Sequence, residues 1–226
     1  MSQKKRFKTG LLLGHINLSE KQQKYLKIML DPTTRVVFLS GPSGSTKTFL
    51  AFYAALALWN EDQRLKLLYL RSAVESATKS LGYLKGSAED KISPYMEVLT
   101  EKLAEILNPQ EIQSLVDANA IEGDVINYLR GRSISNTVII VDEAANMVPN
   151  EIENVLTRMN KNTKIFLCGD SRQSDLKRKD YDNICKEFGD EESAKKGIHH
   201  LAFTKEDIMR DPVIGFILDK LERFIN

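Results

Sequence analysis

The chain has 226 residues, 42% of them hydrophobic and 28% charged, with a net charge of +1, which is the composition of an ordinary globular protein. That balance excludes a global field able to gather nucleic acid, so any basic surface has to be local. The two cysteines, Cys168 and Cys185, stand in no C-x-x-C arrangement, which argues against a disulfide scaffold or a zinc site. No apolar run reaches the roughly 18 residues of a membrane span, and the basic start MSQKKRFKTG has no apolar region behind it, so it does not read as a signal peptide. A cytoplasmic protein with no membrane partner is the expectation.

Residues 1–18 read as a loose, flexible basic arm. Ser19-Glu-Lys-Gln22 is a capping box that opens a helix to about Leu30, and Asp31-Pro32 ends it. Val36–Leu39 is a short β-branched run and predicts a buried strand, followed by a long apolar helix from Lys47 to about Asn60. Leu67–Leu70, followed by Arg71, predicts a second strand. Residues 72–90, rich in Ser, Gly, Lys and Glu without strong periodicity, predict an exposed excursion. Ile92–Leu107 reads as a helix, Asn108-Pro-Gln-Glu111 as a further helix start, and a short segment around Ile121 as a candidate strand. The rest alternates: strand Thr137–Val141, helix from Pro149 to about Met159, strand Lys164–Cys168, helix Tyr181–Phe188, strand His199–Phe203, and a closing helix over Val213–Ile225. This alternation predicts an α/β fold with a mostly parallel sheet and helices on both faces, built as one domain over residues 19–226.

Between the first strand and the helix that follows it lies Gly41-Pro42-Ser43-Gly44-Ser45-Thr46-Lys47-Thr48. Strand, glycine-bearing loop and helix is the order of a phosphate loop, in which backbone amides point inward at phosphate oxygens and the helix N-terminus adds its dipole. Lys47 is placed to reach the β- and γ-phosphates, and Thr48 to offer its hydroxyl to Mg²⁺. A simple Gly/Ser turn with a surface lysine explains the turn, but not the buried strand before it and the buried helix after it. Thr46 stands where the pattern G-x-x-x-x-G-K-[ST] has glycine. A β-branched residue at positive φ is an outlier, so the expectation is a negative φ at Thr46, with the positive φ of the loop carried at Gly44.

A phosphate loop implies a second site, an acidic residue at the end of another buried strand. TVIIVDEAAN supplies it: Asp142 is expected to hold Mg²⁺ through water, and Glu143 to orient or deprotonate an attacking water. The plainer reading of the pair is negative charge favoured at a helix N-terminus. In IFLCGDSRQSDL an apolar strand ends in Gly169-Asp170, and Gln173 follows three residues on, placed to contact a γ-phosphate or its water. An Asp-rich turn explains the same residues.

Taken together these pieces resemble the PhoH-like proteins, P-loop ATPases related to the core of superfamily-1 helicases. The resemblance is carried by GPSGSTKT, RSAVESATKSLGYLKGSAEDKISPYMEVL, NYLRGRSISNTVIIVDEAAN, CGDSRQSDL and FTKEDIMRDPVI, and runs from about Ser19 to Glu222. Ala145 departs from it, standing where the family often has glutamine. The resemblance implies a RecA-like P-loop NTPase fold. It also implies that Gln22 reads adenine, with Tyr25 near the base; the capping box alone is enough to explain Gln22. Arg130 and Arg132 resemble an Arg-Gly-Arg element able to contact phosphate or nucleic acid, against the reading of a solvated loop. Arg210 resembles an arginine finger acting within its subunit or across an interface, against a surface salt bridge with Asp207 or Asp211. The chain resembles compact single-domain versions, including phage-borne ones, for which the compartment is the host cytoplasm.

The expected function is Mg²⁺-dependent hydrolysis of ATP. The resemblance implies coupling to RNA or single-stranded nucleic acid and assembly as a homo-oligomeric ring, with a hexamer one candidate size. Local basic candidates are Lys4, Lys5, Arg6 and Lys8 in the arm and Lys177, Arg178 and Lys179 after Gln173. The alternatives are a nucleotide-gated interaction module with little turnover, and a small-molecule phosphotransferase with residues 72–90 as a lid. Glu143 beside Asp142 favours water over a small-molecule acceptor.

Overall fold

The computed structural model describes residues 10–13, 17–71, 88–129, 131–172, 174 and 180–208, and beyond them 213, 216, 217 and 220. Among these, six strands form one parallel sheet: β1 (Val36–Ser40), β2 (Lys66–Arg71), β3 (Ile121–Val125), β4 (Thr137–Asp142), β5 (Thr163–Gly169) and β6 (Ile198–Ala202). Their order is β3-β2-β4-β5-β1-β6, and every pairing is parallel.

Side chains alternate between two cores, as the two-residue period of a strand requires. Val37, Leu39, Ile140 and Phe166 face one core, where α1 (Glu20–Leu30), α2 (Lys47–Glu61), α3 (Ala88–Ala104) and α4 (Pro109–Asp117) cover the sheet. Phe38, Ile139, Val141 and Leu167 face the other, covered by α5 (Pro149–Leu156) and α6 (Asp180–Glu187). The sheet buried on both faces explains why these strands read as unbroken apolar runs. Helix α2 is buried nearly all round, with Leu50, Phe52, Ala55, Leu56 and Trp59 in the core, each large side chain contributing roughly 1.5–3 kcal/mol. The loop that precedes it is therefore hung on a fixed post. Among the described residues no helix is long and apolar enough to cross a membrane.

The expected capping box forms at Ser19/Gln22, and the helix start expected at Asn108 is a second capping box, Asn108/Glu111. Helix α3 starts at Ala88, inside the stretch expected to be an exposed excursion, while residues 72–87 lie outside the described residues. Helix α5 ends at Leu156, before Met159, because Met159 is drawn into a bridge with Ile134. A short helix α7 (Glu191–Lys195), capped by Asp190, is too brief and polar to leave a periodic signal. The closing helix is described only at Val213, Phe216, Ile217 and Lys220, which are helical.

The loose N-terminal arm needs correction at residues 10–13 and at Leu18. The Leu11 N–H donates to Asn60 Oδ1 at 2.8 Å and its carbonyl accepts from Asn60 Nδ2 at 3.0 Å, while the Leu12 N–H donates to Glu111 Oε1 at 2.8 Å. Leu11, Leu13 and Leu18 pack against the first core. The cause is the pair Leu11 and Leu13, which a loose arm would leave in water, whereas Leu12 between them stays exposed. Residues 1–9 and 14–16, with the basic cluster of the arm, lie outside the described residues.

Gly197 joins α7 to β6 at φ 77°. Its carbonyl accepts from the Arg35 and Val36 amides at 2.7 and 3.1 Å, and an added Cβ would run into the Thr33 carbonyl oxygen. Gly197→Ala is expected to cost at least about 2 kcal/mol of stability, the sum of a left-handed side chain and a backbone clash. Urea unfolding should show a lower midpoint at unchanged slope.

Candidate active site

Parallel strands bring their carboxyl ends to one edge of the sheet. There β1 runs into the 41–46 loop, β4 ends in Asp142-Glu143, β5 leads into Asp170, and β2 ends in Arg71. A cleft of ≈ 430 Å³ lies between them, lined by Gly44, Lys47, Thr48, Arg71, Asp142 and Glu143 among others.

The loop is tied down from below. Its Gly41 N–H donates to Gly169 O at 3.3 Å, and its Ser43 N–H to Asp170 Oδ2 at 2.7 Å. Ser45 closes the turn on itself, its N–H and Oγ both donating to Pro42 O, at 3.3 and 2.7 Å. Gly41, at φ 142°, passes so close to β6 that a Cβ would sit 2.5 Å from Phe203 O. By contrast, the amides of Gly44, Thr46, Lys47 and Thr48 have no acceptor among the described residues. Open amides at a helix start suit the oxygens of a phosphate. Lys47 is 8% exposed. Its ammonium donates to Gly41 O at 2.8 Å, Pro42 O at 2.7 Å and Ser45 Oγ at 3.4 Å. Burial lowers its pKa, against the pull of nearby carboxylates led by Asp170. A cation held this way by neutral oxygens is poised for an anionic partner.

At the end of β4 the Asp142 carboxylate is fixed by three donors. Thr48 Oγ1 and the Glu143 N–H donate to Oδ1 at 2.9 and 3.2 Å, and Tyr69 Oη donates to Oδ2 at 3.1 Å. Glu143 is left-handed at φ 55°, ψ 35°. Its Oε1 lies 3.9 Å from an Arg71 guanidinium nitrogen. Burial first, then the Asp142 charge, raises its pKa from the ordinary glutamate value, while Arg71 and Lys47 pull it back. The Thr48 hydroxyl beside the Asp142 carboxylate is a hard-oxygen pair, which fits Mg²⁺, an ion that retains waters and substrate phosphates as its other ligands. Among the described residues no group of three or more His, Cys, Asp or Glu could hold a metal by itself.

Thr46 corrects the sequence expectation. It lies at φ 64°, ψ 12°, left-handed, and Gly44 is positive as well at φ 79°. The loop turns twice before α2 begins, so both positions carry positive φ. The Thr46 hydroxyl does not cap α2. It donates to Ser45 O at 2.6 Å and accepts from Gln22 Nε2 at 2.7 Å. The conformation costs roughly 1–2 kcal/mol for a residue other than glycine.

The other expected residues are dispersed. Gln22 forms its capping box, is 1% exposed and does not line the cleft. Tyr25 Oη donates to Ala202 O at 2.8 Å, and its ring meets Phe203 edge-on at 5.2 Å. Arg132 pairs with Asp124 at 3.3 Å and Glu122 at 3.6 Å on β3 and does not line the cleft. Gln173, Arg130, Arg210 and the 177–179 basic cluster lie outside the described residues. Tyr69 and Arg71 complete the site, and neither is expected from the sequence. They stand two apart on β2, so they share a face, and the pairing of β2 with β4 sets Arg71 opposite Asp142.

Gly44→Val forces a β-branched residue to φ 79° and should abolish measurable ADP binding. Thr46→Gly releases a strained residue and should bind ADP at least as tightly as wild type. Calorimetric titration of both variants checks the pair.

The PhoH-like protein family model matches residues 16–222. A PhoH-like protein of Synechocystis is 32% identical over 209 residues, covering 91% of this chain and 62% of that protein. One from Bacillus subtilis is 30% identical over 204 residues, covering 89% of this chain and 62% of its own length. The chain thus spans less than two thirds of the length of the curated relatives it matches. Among solved structures, the SWI2/SNF2 ATPase core of Sulfolobus solfataricus is similar with a TM-score of 0.50 at 15% identity, over 90% of this chain and 47% of that one. The large terminase of a thermophilic bacteriophage has a TM-score of 0.50 at 14% identity, over 92% of this chain and 50% of its own. At such identities the likeness is one of fold, the α/β RecA-like core of P-loop NTPases. With the family model spanning nearly all of its residues, the chain belongs to the PhoH-like protein family.

Proposed function

We propose that the chain is a Mg²⁺-dependent ATPase that releases ADP and inorganic phosphate. The observation that carries this reading is one cleft that brings together buried Lys47, the amides of Gly44, Thr46, Lys47 and Thr48, which have no acceptor among the described residues, and the Thr48 hydroxyl beside Asp142 and Glu143. Lys47 and the amides would bind the β- and γ-phosphates, and Thr48 and Asp142 would hold Mg²⁺, which when bound neutralises phosphate charge. Glu143 would take the proton of the attacking water, and a carboxylate of raised basicity suits that task. Gln173 is proposed to contact the γ-phosphate, Arg132 to engage phosphate after leaving its acidic partners, and Arg210 to act as an arginine finger. The family resemblance supports ATP as the nucleotide, coupling to RNA or single-stranded nucleic acid, and a homo-oligomeric ring in which a neighbouring copy supplies the second core.

A second reading, a nucleotide-gated interaction module with little turnover, is favoured by the left-handed Thr46. Phosphate release from ATP without added acceptor separates the two. Glu143→Gln is expected to keep ADP binding and lose most turnover, and Lys47→Ala to lose both. ATP bound without phosphate release by the wild type would favour the gated module, and unchanged turnover in Glu143→Gln would remove Glu143 from the chemistry.

Nucleic-acid coupling should appear as RNA-stimulated phosphate release. RNA affinity should fall with salt, the log–log slope flattening by about 0.7 for each phosphate contact removed. RNA binding that ignores salt would contradict it.

A further inference from the structure

We infer that Gln22 is a positioning residue for the phosphate loop: its side-chain amide holds Thr46 in the left-handed turn from which the loop's open amides follow. The inference rests on the nucleotide-binding reading above. Thr46 is a β-branched residue at φ 64° with no cap bond of its own. Its hydroxyl is gripped from both sides, donating to Ser45 O at 2.6 Å and accepting from Gln22 Nε2 at 2.7 Å.

Gln22 has no slack with which to follow a moving partner. It is 1% exposed, and its Oε1 accepts from the Ser19 N–H at 2.9 Å. One amide group thus spans from the helix cap to the loop. The helix that carries it is docked without help from the loop. Tyr25 Oη donates to Ala202 O at 2.8 Å, Lys21 pairs with Asp207 at 2.5 Å, and Met29 is fully buried. Gln22 therefore acts as a strut on a fixed base. Without it Thr46 is free to relax toward negative φ, which rotates the peptide units at the start of α2 and turns the open amides of Thr46, Lys47 and Thr48 away from one another. Glycine at position 46 would need no strut, since it adopts the left-handed conformation without a steric cost.

The test is a double-mutant cycle on binding of ADP and of inorganic tripolyphosphate, measured by calorimetry. Gln22→Met should weaken both ligands about three- to tenfold, the worth of one hydrogen bond. In a Thr46→Gly background the same change should weaken neither. Ser19→Ala removes the helix cap but leaves Nε2 on Thr46, and should leave both affinities unchanged. Gln22→Leu, which is uncharged and has neither donor nor acceptor, repeats the cycle should Gln22→Met not fold. Equal losses in the two backgrounds would overturn the inference. So would a loss confined to ADP with tripolyphosphate unaffected, which would mark Gln22 as a direct contact of the nucleoside. Wild-type protein that binds neither ligand overturns the nucleotide reading and this inference with it.

Discussion

A polyphosphate leaves water only for donors that have no better partner, and among the described residues the amides of Gly44, Thr46, Lys47 and Thr48, in the loop and the first turn of α2, are such donors. They stay open because everything around them is committed. Asp170 and Gly169 tie the loop to β5, Ser45 closes on Pro42, and α2 is locked in the core. The donors cannot turn inward to satisfy one another without unseating a buried helix. The same rigidity sets Lys47 against loop carbonyls and Thr48 against Asp142, so charge, amides and carboxylates meet at one edge of the sheet.

Backbone strain follows the same geography. Five described residues other than glycine have positive φ: Asn119, Asn136, Asn162, Thr46 and Glu143. Asparagine visits this region readily, whereas threonine and glutamate do not. The two without that tolerance both line the cleft. Each is supported by neighbours, Thr46 by Gln22 and Glu143 by its amide bond to Asp142 and the nearby Arg71 guanidinium. Strain concentrated where the chemistry is expected and absorbed by packing elsewhere is the pattern of a site that trades stability for geometry.

Much of this is legible in the residues. Strands buried on both faces announce themselves as apolar runs, and β1, β4 and β5 fall where TVIIVD-like runs stand. Capping boxes carry their own spacing, which is why α1 and α4 begin where expected. The loop and Asp142 are legible because their positions at strand ends are sequence-local. Tyr69 and Arg71 are not, because their roles depend on β2 lying beside β4, a pairing with no trace in the spacing of either strand. The backbone of Thr46 departs from expectation for a related reason: propensity speaks for the residue alone, while Gln22, 24 positions away, supplies the support that overrides it. The short apolar run Leu11–Leu13 is overshadowed by the lysines before it, although the packing of Leu11 and Leu13 against the core follows from ordinary hydrophobicity.

The most direct test of the cradle is the backbone amide spectrum of the full chain during titration with ADP and Mg²⁺. The amide protons of Gly44, Thr46, Lys47 and Thr48 should move downfield together and saturate at one affinity, since each gains a charged acceptor where it has none among the described residues. Shifts confined to other residues, with these four amides unmoved at saturation, would contradict the assignment of this loop as the phosphate-binding element.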